Sequence, residues 1–355
     1  MQMDRKNNAL RVAIVCIYIL LGWTIVIPLI ATACIYRAVF GGRSRELSKI
    51  LSPSDYPDLQ AKDVRFYHDN LAGTFYTLRG NTEPRAVVIV GHGIGCSRNG
   101  YLNRSAYFAR KGYVVFAFDM TGTADSKGKS LVGLVQSQID MERAIAYVQT
   151  SEYRDLPLLI YGHSWSGYGS ATMLNHAPKG ITAVATLSGF DNSWDIMAMQ
   201  GYRYAGKLIL CIRPWMYLYQ WMRFGKRAFY TGMGGVNAFD GPVLVSHSKD
   251  DPTVPFSISV AARQSECTNP QAEFLIFDDR GHTMSRSIAA EKQVNADAKG
   301  KWYDTPRGKD NLFRYNVEIH YAWSDVKTVY DTDEAFMDQV DAFYRRVLDA
   351  KKQAC

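Results

Sequence analysis

The sequence predicts an α/β protein: a mostly parallel, eight-stranded sheet wrapped by helices and preceded by one membrane-spanning helix. Three observations predict it. Eight short apolar runs, many rich in Val, Ile, Phe and Tyr, recur after residue 63. Helical patterns separate several of them, and such alternation implies parallel strands joined by crossovers. Ahead of them, residues 12–36 ("VAIVCIYILLGWTIVIPLIATACIY") carry no charged side chain.

Length and composition bound the answer. At 355 residues, 47% apolar and 21% charged, the chain can bury one large core. The net charge of +7 is modest and its basic residues are scattered, without an arginine-rich arm. That argues against a nucleic-acid partner. The six cysteines form no CxxC pair and the seven histidines no HExxH, so neither a metal site nor a disulfide framework is expected. No cofactor is called for.

Taken in order, a short basic tail (1–11) precedes the apolar run. As a helix, that run of about 25 residues covers about 37 Å, enough for a hydrocarbon core of ~30 Å. Its first reading is an uncleaved anchor. Its second is a signal peptide cleaved after the small residues of "ATAC", with Cys34 at a lipidation position. Basic residues flank both ends, so the positive-inside rule leaves the side of the membrane open. Residues 37–62, with "SPSDYPD", read as a polar stalk.

The main domain is expected over 63–350. "VRFYH" (64–68) and "AGTFYTL" (72–78) form an opening hairpin. The runs at 86–90, 113–118, 157–161, 181–187, 242–246 and 272–277 are continuously apolar, as strands buried on both faces should be. Leu134, Met141, Ile145 and Val148 share a helical face, as do Phe336, Val340, Phe343 and Val347 after the cap at "DTD". Two segments break the alternation. One, at about 190–241, contains "RPWMYLYQWMRF", which Arg213 and Pro214 are expected to interrupt. The other, at about 289–330, is polar.

A parallel sheet presents chemistry at the carboxyl ends of its strands, and four ends here carry unusual residues. "LLIYGHSWSG" puts Ser164 at the apex of a sharp strand-to-helix turn, its hydroxyl exposed and the Trp165 N–H opening the helix behind it. "GHGIG" (91–95) offers the Ile94 N–H as a second oxyanion donor. "HSKDDPTVP" offers Asp250 and Asp251, and "DDRGH" offers His282. A hydroxyl needs a base, and the base needs an orienting carboxylate. Ser164, an Asp, then His282 supply all three. His92, His163 and His247 read as hydrogen-bonded loop residues, and Asp119 as fixing its own loop.

With "GHGIG", "DMTGTADS" (119–126), "GHSWSG", "HSKDDPTVP" and "RGH" in place, the chain from about residue 64 onward resembles the α/β-hydrolase superfamily, nearest its lipase-like and serine-aminopeptidase-like branch. The resemblance implies a helical cap at 190–241 and a serine hydrolase acting through an acyl-enzyme. It selects Asp251, which opens the Asp-x-x-Val-Pro motif, over Asp250. An aromatic cap (Trp215, Tyr219, Trp221) would line an apolar cavity suited to a small-molecule or lipid acyl ester. The rivals are an aminopeptidase-type amide hydrolase and a non-catalytic binding protein. The sequence departs from the family at Ala124 and Ser166, where glycine is usual, and Ser166 is the alternative nucleophile.

Overall fold

The computed structural model describes residues 2–44, 50–176, 178–292 and 330–354. The chain folds around an eight-stranded sheet of order β1-β2-β4-β3-β5-β6-β7-β8. β1 (Leu59–Phe66) and β2 (Leu71–Leu78) form an antiparallel hairpin, and β2 runs antiparallel to β4 (Val114–Phe118). From β4 onward every pairing is parallel, through β3 (Val87–Gly91), β5 (Leu158–His163), β6 (Ile181–Leu187), β7 (Val243–Ser248) and β8 (Ala272–Phe277). The β-branched and aromatic runs behave as foreseen, with β8 as the exception. It closes the sheet edge, so its residues are only partly buried.

Period-two alternation divides the core. Val87 and Ile89 point to one face, Val88 and Val90 to the other. The first face packs against α4 (Gln136–Val148) and α5 (Trp165–Met173), whose Met141, Ile145 and Tyr168 are buried there. The second packs against α3 (Leu102–Arg110) and α9 (Glu334–Ala354). The Asp333 carboxylate caps α9, accepting the Phe336 N–H at 2.9 Å, and Phe336, Val340 and Phe343 are buried as their spacing requires.

The register sets the functional edge. Gly91 lies opposite Gly162, His163 opposite Leu187, and Leu187 opposite Ser246. The loops after β3, β5, β6, β7 and β8 therefore emerge side by side.

Two expectations change. The apolar segment is helical over α1 (Gln2–Leu21), a π-turn (Gly22–Val26) and α2 (Ile27–Phe40). Its end is not a stalk: Tyr36 and Phe40 are buried in the core, the Tyr36 ring lying 4.7 Å from that of Tyr219. Arg43 Nη2 then donates to the carbonyls of Ala124 and Ser126, both at 2.8 Å, and β1 starts within the expected stalk. Second, Pro214 does not break the cap. α7 (Leu208–Phe224) runs through it, beside α6 (Ser193–Ala205) and α8 (Gly232–Ala238). The polar insertion expected at 289–330 lies almost entirely outside the described residues.

Candidate active site

β5 ends in a turn that only certain residues permit. A Cβ on Gly162 would sit 2.4 Å from both the Ser166 carbonyl oxygen and Ser170 Oγ, so this position excludes any side chain. Ser164 follows at φ 59°, ψ −113°, a region costly for a residue with a Cβ. Its own N–H donates to the Leu187 carbonyl (2.8 Å), and its carbonyl accepts the Tyr168 N–H (2.9 Å). These bonds hold the strained apex. The residue is only 7% exposed, less than the open apex expected, because the surrounding loops cover it.

The Ser164 hydroxyl donates to His282 Nε2 at 2.9 Å, and His282 Nδ1 donates to Asp251 Oδ2 at 2.7 Å. Asp251 Oδ1 accepts the N–H groups of Thr253 and Val254 (2.8 and 2.9 Å), which fixes the carboxylate from behind. Asp250 is engaged elsewhere. It accepts the Ser248 hydroxyl (2.6 Å) and the Gly281 N–H (2.8 Å), tying the His282 loop to β7.

Electrostatics follow from this arrangement. Burial works to raise the Asp251 pKa, but the charge and hydrogen bond of His282, with the Val254 N–H, outweigh it and hold the carboxyl below its usual range. Burial works to lower that of His282; Asp251 outweighs it, and the imidazole lies above its ordinary value. The other loop histidines are kept neutral. His92 is pushed down to about 4, chiefly by burial. Its Nε2 accepts the Met120 N–H (3.0 Å) and its Nδ1 donates to the Gly93 carbonyl (2.8 Å). Burial also lowers His163 and His247; His247 Nε2 donates to the Val254 carbonyl at 2.9 Å.

Trp165 is the first residue of α5, so its N–H has no intrahelical acceptor. Its indole is buried and donates to the Leu134 carbonyl at 2.7 Å. Ile94 lies in the glycine loop that covers the serine: a Cβ on Gly93 would come 3.4 Å from Ser164 Cβ. Gly93, next to Ile94 in the chain, thus lies against Ser164.

Ser166 does not compete as nucleophile. Its hydroxyl is fully buried, accepts the His163 N–H (2.9 Å) and donates to the His163 carbonyl (3.1 Å). The opposing Gly91 makes room for it, since a Cβ there would come 2.5 Å from Ser166 Cβ. Ala124 adopts φ 38°, the backbone for which glycine is usual. Asp119 pairs with the buried Arg98 guanidinium and accepts the Arg98 N–H (2.8 Å), a structural role.

The cap residues fare differently. Tyr219 packs on Tyr36, Trp215 is half-buried, and Trp221 is 51% exposed on the outer face, so the last does not line a covered cavity. Sequence reasoning missed Tyr101 and Ser188. The Tyr101 hydroxyl accepts the Gly93 N–H (3.0 Å) and donates to His163 Nδ1. His163 Nε2 (2.9 Å) and the Ser188 hydroxyl (2.7 Å) both donate to the His282 carbonyl. No motif marks either residue. The signal available was a hydroxyl beside each of two functional loops.

Comparison with known proteins bears on the fold. Residues 82–228 match the family described as serine aminopeptidase, S33. That stretch holds Ser164, Ile94 and Trp165, and ends before Asp251 and His282. Among solved structures, an esterase of Pyrococcus furiosus, Pf2001, aligns at 20% identity over 68% of this chain and 91% of its own, with a TM-score of 0.52. The acetyl xylan esterase of Paenibacillus sp. R4 aligns at 18% identity over 70% and 85%, with a TM-score of 0.50. At such identities the likeness establishes the fold. No curated protein matches the chain significantly.

Proposed function

We propose that this chain, which has the fold of the α/β hydrolases, is a membrane-tethered serine hydrolase that cleaves a carboxylic ester with a lipophilic acyl group. The observation that carries the mechanism is the unbroken bond chain from Ser164 through His282 to Asp251. Ser164 Oγ attacks the acyl carbonyl while His282 Nε2 takes its proton. Asp251 holds the Nδ1–H tautomer and stabilises the imidazolium. The N–H groups of Ile94 and Trp165 bind the oxyanion; losing one such donor costs about 3–4 kcal/mol in other enzymes. The tetrahedral adduct collapses, the C–O bond to the leaving group breaks, and His282 returns the proton to the departing alkoxide. Water then attacks the acyl-enzyme with His282 as base, releasing the carboxylic acid and restoring Ser164.

The matched family raises the aminopeptidase reading, which needs an acidic group to hold a free amine. The acidic residues of the cap segment 190–241 are engaged elsewhere or lie at its end: Asp191 accepts the Met233 N–H (2.8 Å), Asp195 pairs with Arg213 (2.9 Å) and Asp240 is exposed at the end of the segment, which supports the ester. Tethering is supported by the long apolar helix 7–40, and its uncleaved state by packing on both sides of Ala33, where Thr32 and Tyr36 are buried. The decisive experiment labels wild type beside Ser164→Ala with a fluorophosphonate probe, then compares acyl esters with amino-acid amides. Wild type alone should be labelled, and esters of longer acyl chains should be preferred. Absence of labelling in folded wild type would overturn the mechanism; preference for amides would overturn the substrate class.

A further inference from the structure

The cap's outer surface has no role in the site described above, yet it is built unusually. Along α7, Leu210, Pro214 and Trp221 fall within an arc of about 40° at about 100° per residue, with Cys211 and Met222 beside them. All five are exposed: Leu210 by 52%, Trp221 by 51% and Met222 by 53%. Phe229, just beyond the helix, is 47% exposed. The opposite side of the helix is covered in the ordinary way, with Met216 and Gln220 buried and Tyr219 on Tyr36. A helix apolar on both sides needs a second apolar environment.

Charge narrows what that environment is. The cap segment 190–241 carries six basic residues, Arg203, Lys207, Arg213, Arg223, Lys226 and Arg227, against three acidic ones, Asp191, Asp195 and Asp240. Arg213 and Arg227 pair with Asp195 and Glu142. Lys207 before α7, and Arg223 and Lys226 at its far end, are exposed. Cations at both ends of an apolar helical face suit anionic headgroups above an acyl layer. Position supplies the third argument. The last turns of the apolar N-terminal helix pack on this same cap helix, so a bilayer holding the helix lies close to α7.

We propose that the outer face of α7 docks into the anionic leaflet entered by the N-terminal helix, the occupant of this surface being the phospholipid bilayer. This rests on the tethered reading, and one experiment separates the two. The full chain is reconstituted in vesicles of phosphatidylcholine and phosphatidylglycerol, with acyl-brominated lipids as quenchers of tryptophan fluorescence. Trp23 reports on the N-terminal helix and Trp221 on the cap. Trp23→Phe and Trp221→Phe are each expected to remove a separate lipid-quenched component, and the Trp221 component should shrink in phosphatidylcholine alone. A Trp23 component without one from Trp221 would overturn docking and leave tethering intact. Neither component would overturn both, and a Trp221 component indifferent to anionic lipid would overturn the assigned headgroup chemistry. In a second arm, Leu210→Glu with Met222→Glu should lower turnover of a vesicle-embedded ester at least about tenfold, the effect of losing one buried apolar side chain. Turnover of a short soluble ester should not change. Equal loss on both substrates, or on neither, would overturn the proposal.

Discussion

The Tyr101 hydroxyl donates a hydrogen bond to His163 Nδ1 while accepting one from the Gly93 N–H at 3.0 Å. Because His163 Nε2 donates to the His282 carbonyl, the glycine loop, the nucleophile turn and the base-bearing loop are joined by one buried series of bonds. Tyr101→Phe removes both bonds of the hydroxyl. It should cost about 1–3 kcal/mol of stability, because two buried polar groups lose a partner. If Tyr101 positions the site, kcat for ester hydrolysis should fall about tenfold with KM nearly unchanged, equivalent to ~1.4 kcal/mol in the transition state. Thermal unfolding and steady-state kinetics on the same preparation read both effects.

The electrostatics of the triad predict a pH profile. His282 acts as a base only when neutral, and Asp251 holds its pKa above the ordinary value. Activity should therefore rise with pH through a midpoint above about 6.5. Asp251→Asn removes the charge that raises the imidazole. The limb should move to lower pH while the plateau drops about 10⁴-fold, as in other triad enzymes. A kcat/KM–pH series on both proteins checks the direction and the size.

Ala124 occupies the left-handed backbone region at φ 38°. Ala124→Gly relieves the strain at some cost in unfolded-state entropy. It should raise stability by about 0.5–1 kcal/mol. A rise in melting temperature with unchanged fluorophosphonate labelling is the expected outcome.

Tyr36 is only 3% exposed although it belongs to the apolar N-terminal helix. Tyr36→Ala should destabilise the folded body by about 3 kcal/mol, as for other buried aromatics. Tyr18→Ala, where the ring is 70% exposed, should leave the melting temperature in detergent unchanged. Thermal unfolding of both variants in one detergent makes the comparison.

The strand ends were legible because each carries a residue that a buried sheet does not otherwise need: Gly162 with Ser164, Gly91 with Gly93, Asp251, His282. Their chain order then restricted how they could meet. The choice between Asp250 and Asp251 came from the motif that resembles the family, and the bond to His282 Nδ1 falls on Asp251. The cap was less legible. Its aromatics announce burial without saying against what, and Tyr219 and Trp221, two residues apart, face different surroundings. Pro214 reads as a breaker because its lost hydrogen bond is visible in the sequence, whereas the packing that carries α7 through it is not. Tyr101 was illegible for a different reason: its partner His163 is 62 residues away, and no spacing encodes their meeting. Residues 37–44 were misread as a stalk because arginines and glycines look like linker, although Arg43 bonds to three carbonyls of the 124–128 loop.

The burial of Tyr36 and Phe40 among the residues of the catalytic body has a mechanical consequence. A hydrolase hung from a slack tether would sweep through a volume of solvent and sample esters at many heights. Here the helix enters the globule as a stiff post, so on the tethered reading the serine is set at one altitude and one tilt. Selection then falls on where a scissile carbonyl floats as well as on its chemical neighbours, and an ester riding too deep or too shallow escapes hydrolysis.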